Sequence, residues 1–399
     1  MQAGPVTHDR RPLPSYRSAW LAWHAALGKY GELAVRAARA WRQIEDWAGQ
    51  HLPPIAASLR QGATEDALDA AERELGVRFP PALRAIYRLH DGQDLIFDAG
   101  VDTQRTIMHP SIFHGLFGGY AFYSHLVSTR MLSLRRMIRY TRHLRGALGM
   151  PEARVLFGSN FNFNKLVLCD TRDGSVRIAC QDKHACLKAS GPASSGDDGV
   201  LLWLEAFASN LAAGRFAAEP LDPELPDSTA ITLFPQRPPG RSEAVTRGVR
   251  VRALPVFIPE LSQVQDEEEE DVGDNQYFFA YSVRFSLLDE AQQAAHWPAT
   301  AGPFRPLGSV QLRSRHWLIR DGRGSVESEV RGEAVVGHYP LLTAGGEEFS
   351  YQSCTHQRDA VGSMEGDFSF VEGSLQQPAG PGFDVVCAPF RLDVPEMFF

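Results

Sequence analysis

The segment from Val330 to Ser353 has the glycine spacing that comes nearest to a phosphate-binding loop, with Gly332 and Gly337 five positions apart. A nucleotide-binding P-loop holds phosphates with backbone amides, but it also needs a lysine and a Ser or Thr directly after its last glycine. The lysine reaches the terminal phosphates and the hydroxyl binds magnesium. Here His338 follows Gly337, so both groups are missing. The segment is therefore not predicted to be a P-loop.

A dinucleotide-binding fingerprint is also a poor fit to this segment. Its Gly-x-Gly-x-x-Gly pattern must open a helix after a strand, whereas position 334 is alanine and Pro340 opposes a helix. The glycines are predicted instead to shape a strand, a loop and a turn of a β-rich domain. An alternative is a weak anion-binding nest of backbone amides. The candidate ligand or partner residues are Gly332, Gly337, His338, Gly345 and Gly346.

Two runs of charged residues could also bind a ligand. Six arginines occur between Arg130 and Arg145, and converging arginines bind phosphates by releasing counterions. The apolar residues among them lie near one helical face. This run is therefore predicted to be a solvated helix face, with contact to an acidic protein segment as the alternative. The acidic run Asp266–Asp271 lacks the glycine and the alternating oxygen ligands of a calcium loop, and it is predicted to be a solvated, disordered hairpin loop.

Catalytic motifs are absent from the sequence: it contains no GxSxG nucleophile elbow, no HExxH and no paired zinc ligands. Cys180 and Cys186 flank His184, and metal ligation there is conceivable, but ordinary core and surface roles are preferred. No catalytic, cofactor-binding or metal-binding residue is therefore predicted. A dispersed catalytic triad stays open, because the sequence does not place four residues relative to one another: His114, His125, His356 and Cys354.

Composition narrows the class of protein. A chain of 399 residues with 44% hydrophobic and 22% charged residues predicts two globular domains of ordinary size. The net charge of −8 provides no overall field for binding nucleic acid or anionic lipid. Five cysteines without CxxC spacing predict a reduced cytoplasmic or nuclear location. The N-terminus lacks a signal peptide and no apolar run approaches ~20 residues, so a soluble protein without a membrane partner is expected.

The N-terminal half combines helical and strand patterns. A helical period runs from Tyr16 to Tyr87, and within it Thr64 is the expected N-cap and Gly76 the expected end of one helix. Two strands are predicted around an Asp173-Gly174 turn. Helices, then antiparallel strands, then a closing helix indicate an α+β domain. The closing helix has four residues spaced along one face: Leu202, Ala206, Ser209 and Ala213.

Prolines mark the boundary between the two halves. Six prolines between Ala217 and Ser242 predict an extended linker, in which the apolar island AITLFP can pack on a neighbour. The expected organisation is a disordered N-terminus at 1–14, an α+β domain at 15–216, a linker at 217–242 and a β-sandwich at 243–399.

Beyond the linker the apolar period becomes two, which is typical of strands. In VQLRSRHWLIRD the apolar positions change from even to odd, which predicts a β-bulge between Arg313 and His316. About seven short strands without a convincing helix predict an all-β sandwich of immunoglobulin or fibronectin type. In YFFAYSVRFSLL the alternating apolar residues are Phe279, Tyr281, Val283, Phe285 and Leu287.

From Ser242 to Phe399 the chain resembles an ApaG domain. The resemblance is carried by VTRGVRVRALPVFIPE, YFFAYSVRF, VQLRSRHWLIRDGRG, VRGEAVVGHYPLLTAGGEEFSYQS, GSMEGDFSFV and FDVVCAPFRL. The family's glycine segment usually reads VxGxGVVGxxP, and this chain keeps Gly332 and Gly337 but has Ala334 at the middle glycine. That departure weakens a phosphate role further. The resemblance implies a fibronectin-like β-sandwich that serves as a protein-binding module in eukaryotic proteins.

The N-terminal half resembles the SUKH superfamily, of the yeast cell-wall regulator type. The resemblance is carried by RQIEDWAGQHLPPIAASLRQGATEDALDAAERELGVRFPPALRAIYRLHDGQ, then by GLFGGYAFYSHLVSTRMLSL, VLFGSNFNFNKLVLCD and LLWLEAFASNL. Within the first stretch, Glu72-x-x-Leu75-Gly76 followed by Pro80 is the characteristic pattern. The resemblance implies an α+β recognition module without catalytic activity.

A SUKH domain followed by an ApaG domain is similar to one group of eukaryotic F-box proteins, the F-box-only and plant Skp-interacting type. In that group an N-terminal F-box binds the Skp adaptor of a cullin ubiquitin ligase, and the later domains present substrates. The F-box itself is absent from this chain, because the helix beside the SUKH domain already starts near Tyr16. Skp and cullin subunits are therefore expected as partners only if an F-box is supplied elsewhere.

The resemblances together imply a non-enzymatic protein-recognition subunit whose partners are other proteins. The specific expectation is substrate recognition for a Skp-cullin-F-box type ubiquitin ligase. The alternative is a regulatory β-sandwich that binds a small phosphate-containing ligand near Gly332 and Gly337, and a third possibility is an unrecognised hydrolase.

Overall fold

The computed structural model describes residues 31–94, 110–181, 183, 185–191, 198–264, 275–297 and 303–399. These residues form an α+β N-terminal region and a C-terminal β-sandwich, so the predicted fold class is confirmed. The predictions for residues before 31, for His184 and for the acidic run 266–271 lie outside the described residues.

Among the described residues, the helices of the N-terminal region are α1 (Gly31–His51), α2 (Pro53–Ser58), α3 (Glu65–Leu75), α4 (Pro81–Leu89), α5 (Leu134–Leu148) and α6 (Gly199–Ala212). Local signals set the ends of α3. Thr64 Oγ1 accepts a hydrogen bond from Ala67 N at 3.2 Å, and Gly76 ends the helix with a φ of 68°. Both predicted boundaries are confirmed.

The helix α6 is more deeply buried than its sequence pattern predicted. Leu202 and Ala206 of the predicted face are half-buried, and Ser209 and Ala213 are exposed. The helix packs against α1 and α4. Because it carries large apolar residues on several sides, its 3.6-residue period is weak, and the face predicted from the sequence is wrong. The side chains that face the core are Leu201, Trp203, Leu204, Phe207, Ala208 and Leu211.

Two sheets complete the N-terminal region. One is an antiparallel meander with strand order β3-β4-β5-β6-β7, and its β5–β6 hairpin turns at the predicted Asp173-Gly174 pair. Gly174 has a φ of 67°, which this turn requires. The other sheet has the order β2-β1-β9-β8. The strands are β1 (Gly119–Phe122), β2 (His125–Ser128), β3 (Arg130–Met131), β4 (Arg154–Ser159), β5 (Leu166–Asp170), β6 (Val176–Ala179), β7 (Cys186–Lys188), β8 (Ala217–Pro220) and β9 (Thr229–Thr232).

The segment 217–242 differs from the extended linker predicted for it. It supplies β8 and β9, and Thr232 of β9 pairs with Gly119 of β1. The apolar island is buried, with Ile231 fully inaccessible and Phe234 1% exposed. Most of the prolines fall in turns between strands, and Pro220 ends the edge strand β8, where a missing N–H is tolerated. The prolines of this segment therefore mark turns between strands, and the prediction of an extended linker is wrong.

The C-terminal sandwich consists of two facing sheets. Their orders are β10-β11-β12-β16 and β14-β13-β17-β18, and β15 pairs with β13. All five alternating residues predicted to face inward from β12 are buried. The strands are β10 (Ser242–Thr246), β11 (Val249–Phe257), β12 (Tyr277–Leu287), β13 (Ser309–Arg320), β14 (Val326–Glu333), β15 (Leu341–Thr343), β16 (Phe349–Gln357), β17 (Ser363–Gly373) and β18 (Pro378–Arg391).

Two details of the sandwich depart from the sequence prediction. A short helix, α7 (Glu290–Ala295), follows β12, where no helix was predicted. Asp289 and Gln292 form its capping box, a signal that was present in the sequence. The bulge in β13 lies at Arg313, because Leu312 and Ser314 pair with consecutive residues of β17. It therefore begins one residue before the predicted interval.

The two regions share a continuous apolar core. Phe399 packs against the rings of Trp203 and Phe207, with ring centroids 5.1 Å and 5.3 Å apart. Trp203 Nε1 donates a hydrogen bond to Phe398 O at 2.8 Å. Two aromatic residues that follow the sandwich thus fill the core of the N-terminal region and fix the two regions against each other.

A buried polar cluster lies on the same interface. Glu260 Oε1 accepts from Tyr120 OH at 2.6 Å and lies 3.0 Å from His125 Nε2. Lys165 Nζ donates to Tyr120 OH at 3.0 Å and lies 4.0 Å from Glu260 Oε2. Burial by itself would raise the pKa of Glu260, but the attraction of Lys165, His125 and Tyr120 outweighs it and holds the pKa at about 2.

Candidate functional site

The glycine segment contains a tight turn at its centre. Val335 N donates to His338 O at 3.0 Å and His338 N donates to Val335 O at 2.9 Å, which closes a two-residue hairpin. The two turn residues are Val336, with a φ of 47°, and Gly337, with a φ of 82°. Positive φ at both positions defines a type I′ turn. Gly337 therefore serves the backbone conformation of a hairpin.

Gly332 has a different role, in packing. Arg315 Nη1 donates to Glu333 O at 2.8 Å and to Ala334 O at 2.7 Å. A Cβ on Gly332 would lie 3.0 Å from the same Nη1, so a side chain there would displace the guanidinium. Gly332 thus leaves room for the arginine that holds the strand end beside the turn.

The amides of this segment are used within the fold. The N–H groups of Val335, His338, Gly345 and Gly346 all donate to backbone carbonyls. Gly345 and Gly346 lie beside Asp289 and Thr343 rather than beside the Val336-Gly337 turn. The structure therefore does not gather the five candidate residues into one amide nest.

Beside this turn lies a cavity of about 290 Å³ between the two regions, here called the groove. The turn forms one wall, the start of β16 forms the floor, and the β1–β2 hairpin of the N-terminal region forms another wall. The residues that line it are Phe122, Tyr123, Asp222, Pro223, Glu224, Val336, His338 and Glu348–Gln352. Of the candidate residues named from the sequence, His338 lines the groove and Gly337 adjoins it.

Two turn tips at the groove hold large apolar residues in a strained backbone conformation. Tyr123 has a φ of 49° and is 63% exposed, and Val336 has a φ of 47° and is 42% exposed. Tyr123 OH lies 2.8 Å from Ser353 Oγ of the sandwich. Hairpin turns of this kind favour Gly, Asn or Asp at such positions. Strain of about 1–3 kcal/mol at bulky residues is concentrated at functional sites, which makes the groove the leading candidate.

The charges of the groove are negative. Asp222, Glu224 and Glu348 contribute carboxylates, and its described lining contains neither lysine nor arginine. His338 Nε2 lies 3.1 Å from Glu224 Oε1, and Glu348 is paired with Arg252 at the side of the groove. A phosphate would be repelled by these carboxylates, whereas a positively charged group would be attracted. The phosphate-binding alternative therefore receives no support from the groove.

An unsatisfied polar group lies in the floor of the groove. Tyr351 is 5% exposed, and its hydroxyl has no hydrogen-bond partner among the described residues. Burial raises the pKa of Tyr351 well above its ordinary value, so the hydroxyl keeps its proton and is a donor. Buried polar groups are nearly always paired, but this hydroxyl is itself closed to solvent and the Tyr351 ring stacks on Phe285 in the sandwich core, so it is not offered to a ligand in the groove.

The residues left open as a dispersed triad do not form one. Within the described residues, Cys354 makes no hydrogen bond to His114, His125 or His356. Burial raises the pKa of the Cys354 thiol, the opposite of what activates a nucleophile. Cys354 is a free thiol, as are Cys169 and Cys387.

Neither a metal site nor a membrane-spanning helix occurs among the described residues. No group of three or more His, Cys, Asp or Glu side chains there is placed to hold a metal ion. None of the described helices combines the length and the apolar character that crossing a bilayer requires.

Each of the two regions matches a known protein family. Residues 62–198 match the SMI1/KNR4 family (SUKH-1), and residues 267–372 match the ApaG domain. The F-box protein SKIP16 of Arabidopsis thaliana is 34% identical over 411 aligned positions, which cover 99% of this chain and 87% of that protein. The chain belongs to the SUKH–ApaG family of SKIP16. The predicted resemblances to both domains and to this group of F-box proteins are thus confirmed.

Two further relatives match with lower identity or over a shorter part of this chain. F-box only protein 3 of Mus musculus is 25% identical, over 95% of this chain and 70% of that protein. Protein ApaG of Methylobacterium nodulans is 38% identical over 39% of this chain and 95% of its own length. Neither matching family model describes a catalytic family.

The groove residues contributed by the N-terminal region could not be found from the sequence. Tyr123 lies in a hairpin without glycine, and Asp222 and Glu224 lie in the segment predicted to be a linker. Their role depends on how the two regions pack, which no local pattern encodes. For Val336 the sequence did hold a signal, because the neighbouring Gly337 is a residue typical of hairpin turns. Val336 and Gly337 occupy the two central positions of such a turn, and both have positive φ.

Proposed function

We propose that this SUKH–ApaG protein is a non-enzymatic substrate-recognition subunit of a Skp-cullin-F-box type ubiquitin ligase, acting in the cytoplasm or nucleus. The observation that carries this proposal is its similarity to the F-box protein SKIP16 along 99% of the chain. Binding to a Skp adaptor requires an F-box, so Skp and cullin subunits are partners where an F-box is supplied together with these two domains.

The groove supports the recognition part of this proposal. It lies between two regions that share one core, so its walls are held at a fixed separation. Pre-organised walls reduce the entropy lost when a partner binds. Exposed apolar tips beside carboxylates provide both an anchor and charge selectivity. These are properties of a protein-binding surface.

Affinity purification of the tagged protein from proteasome-inhibited cells, followed by mass spectrometry, tests the proposal. We expect Skp and cullin subunits together with further proteins that are substrates. Glu224→Lys reverses the charge of an exposed groove residue and should remove the substrates while the ligase subunits remain. Asp46→Lys makes the same charge change on the exposed side of α1 and should remove neither. Purification without Skp and cullin subunits would refute the ligase role.

A further inference from the structure

The floor of the groove is an unpaired strand edge. In the sheet β10-β11-β12-β16, β16 is the last strand, and it pairs with β12 along one side only. Five successive residues, Glu348–Gln352, line the groove, so the groove follows this edge for roughly 17 Å. Across the described chain, Phe349–Gln357 form no backbone hydrogen bond other than those to β12. The outward amides and carbonyls at the start of β16, before Tyr123 OH reaches Ser353, are thus available to another strand.

On the opposite side of the sandwich the two sheets contact each other, so the edge strand there is covered, unlike the edge of β16 at the groove. There β10 lies against β18, and Val386 N of β18 donates to Thr246 Oγ1 of β10 at 3.2 Å. On the β16 side, the neighbouring sheet ends in β14, whose residues are nearly all exposed. Within the described residues, the groove combines a free edge with walls from both regions.

The chemistry of the walls selects what can lie on this edge. Side chains of an added strand alternate between two directions. The tips of Tyr123 and Val336 offer apolar contacts, while Asp222 and Glu224 attract positive charge. Glu348 is already paired with Arg252 and contributes less. An extended segment that alternates apolar residues with lysine or arginine satisfies both walls, whereas acidic segments and phosphates meet these carboxylates and are disfavoured.

We infer that the groove binds an extended, positively charged segment of a partner protein, which adds to the edge of β16 as a further strand. Identifying that partner as a ubiquitination substrate rests on the proposed function, whereas the mode of binding does not. Main-chain hydrogen bonds to β16 supply affinity, and the walls supply specificity.

Selection from a random peptide library on the purified 399-residue protein tests this inference. We expect the enriched peptides to alternate apolar residues with lysine or arginine. In anisotropy titrations, N-methylation at every second peptide position should weaken binding about tenfold, because it removes a main-chain donor, while the intervening positions tolerate it. Enrichment of acidic or uncharged peptides, or equal tolerance of N-methylation at all positions, would overturn the inference.

Two variants separate the groove from the rest of the surface. Glu224→Lys should weaken the selected peptide about tenfold, with a larger loss at low salt, while Asp46→Lys leaves binding unchanged. Val336→Asn removes an apolar contact and should weaken binding without lowering stability, since Asn tolerates positive φ. Binding that survives both groove variants would place the peptide elsewhere and overturn the inference.

Two further outcomes distinguish this inference from its alternatives. A concentration-dependent dimer that Glu224→Lys dissociates would assign the edge to a second copy of this chain and overturn the inference. Peptide binding by the purified protein, combined with affinity purifications from cells that recover no Skp or cullin subunits, would refute the proposed ligase role and support the groove.

Discussion

Replacing Gly337 with alanine isolates the conformational demand of the turn at the groove. Gly337 has a φ of 82°, and a Cβ added to it meets no heavy atom within 4 Å. The left-handed conformation costs an L-residue about 1–2 kcal/mol. Alanine also restricts the unfolded chain, which returns about 0.4–1 kcal/mol. We therefore expect Gly337→Ala to lower the free energy of unfolding by about 1 kcal/mol.

Gly308→Ala is the matched control for this measurement. Gly308 lies in the same sandwich, its φ is outside the left-handed region, and a Cβ there also meets no atom within 4 Å. Its replacement should leave the free energy of unfolding unchanged or raise it by up to about 0.5 kcal/mol. Urea unfolding followed by tryptophan fluorescence reports on the sandwich, since Trp317 is 2% exposed in its core.

Two measurements decide between a structural and a phosphate-binding role for the turn. If Gly337→Ala is as stable as Gly308→Ala, the left-handed conformation does not constrain position 337 and our reading of the turn is wrong. A saturable rise of the wild-type melting temperature with pyrophosphate, lost in Gly337→Val, would refute the argument from the acidic groove.

Three further predictions concern the sandwich and its junction with the SUKH region. Ala334 is buried at a φ of 58°, so Ala334→Gly should raise the free energy of unfolding by about 0.5–1 kcal/mol in urea titrations. Glu260 has its pKa lowered to about 2, so its charge stabilises the fold above about pH 4.5 and this contribution is lost as the pH falls toward 2. Glu260→Gln should abolish that pH dependence and cost about 3 kcal/mol at pH 7, because it leaves Lys165 buried without its counter-charge. Phe399→Ala should cost about 3–5 kcal/mol, whereas Val386→Ala, at a half-exposed position, should change stability by less than about 0.5 kcal/mol.

Much of the fold was predictable because its local signals agree with its packing. The alternation in β12 and the caps of α3 each follow from spacing along a few residues. The errors occur where tertiary burial overrides local pattern. The proline density of 217–242 predicts a linker, but Ile231 and Phe234 of this segment are buried in a neighbouring core. The sequence alone does not reveal that contact.

The candidate site was predictable only in part. The candidate residues Gly337 and His338 were named from the sequence, and the missing lysine and Ser or Thr after Gly337 excluded a P-loop there. Tyr123 and Glu224 join the site from more than 100 residues away, through contacts made by the fold. The glycine that the family usually has at position 334 now has a physical reason, since the residue there adopts positive φ. It serves the backbone rather than phosphate binding.

The geometry of the groove depends on interactions that lie outside it. Glu219 of β8 receives two hydrogen bonds from Arg284 of β12, at 3.2 Å and 2.5 Å, and the Lys165–Glu260 cluster is buried between the same regions. A buried ion pair contributes little net stability, but separating its partners is costly, so it favours one relative orientation. The two strained turn tips come from different regions, and they face one groove only in that orientation. The polar and aromatic contacts of the interface fix the orientation of the two regions. Tyr123 and Val336 can therefore contact the same partner.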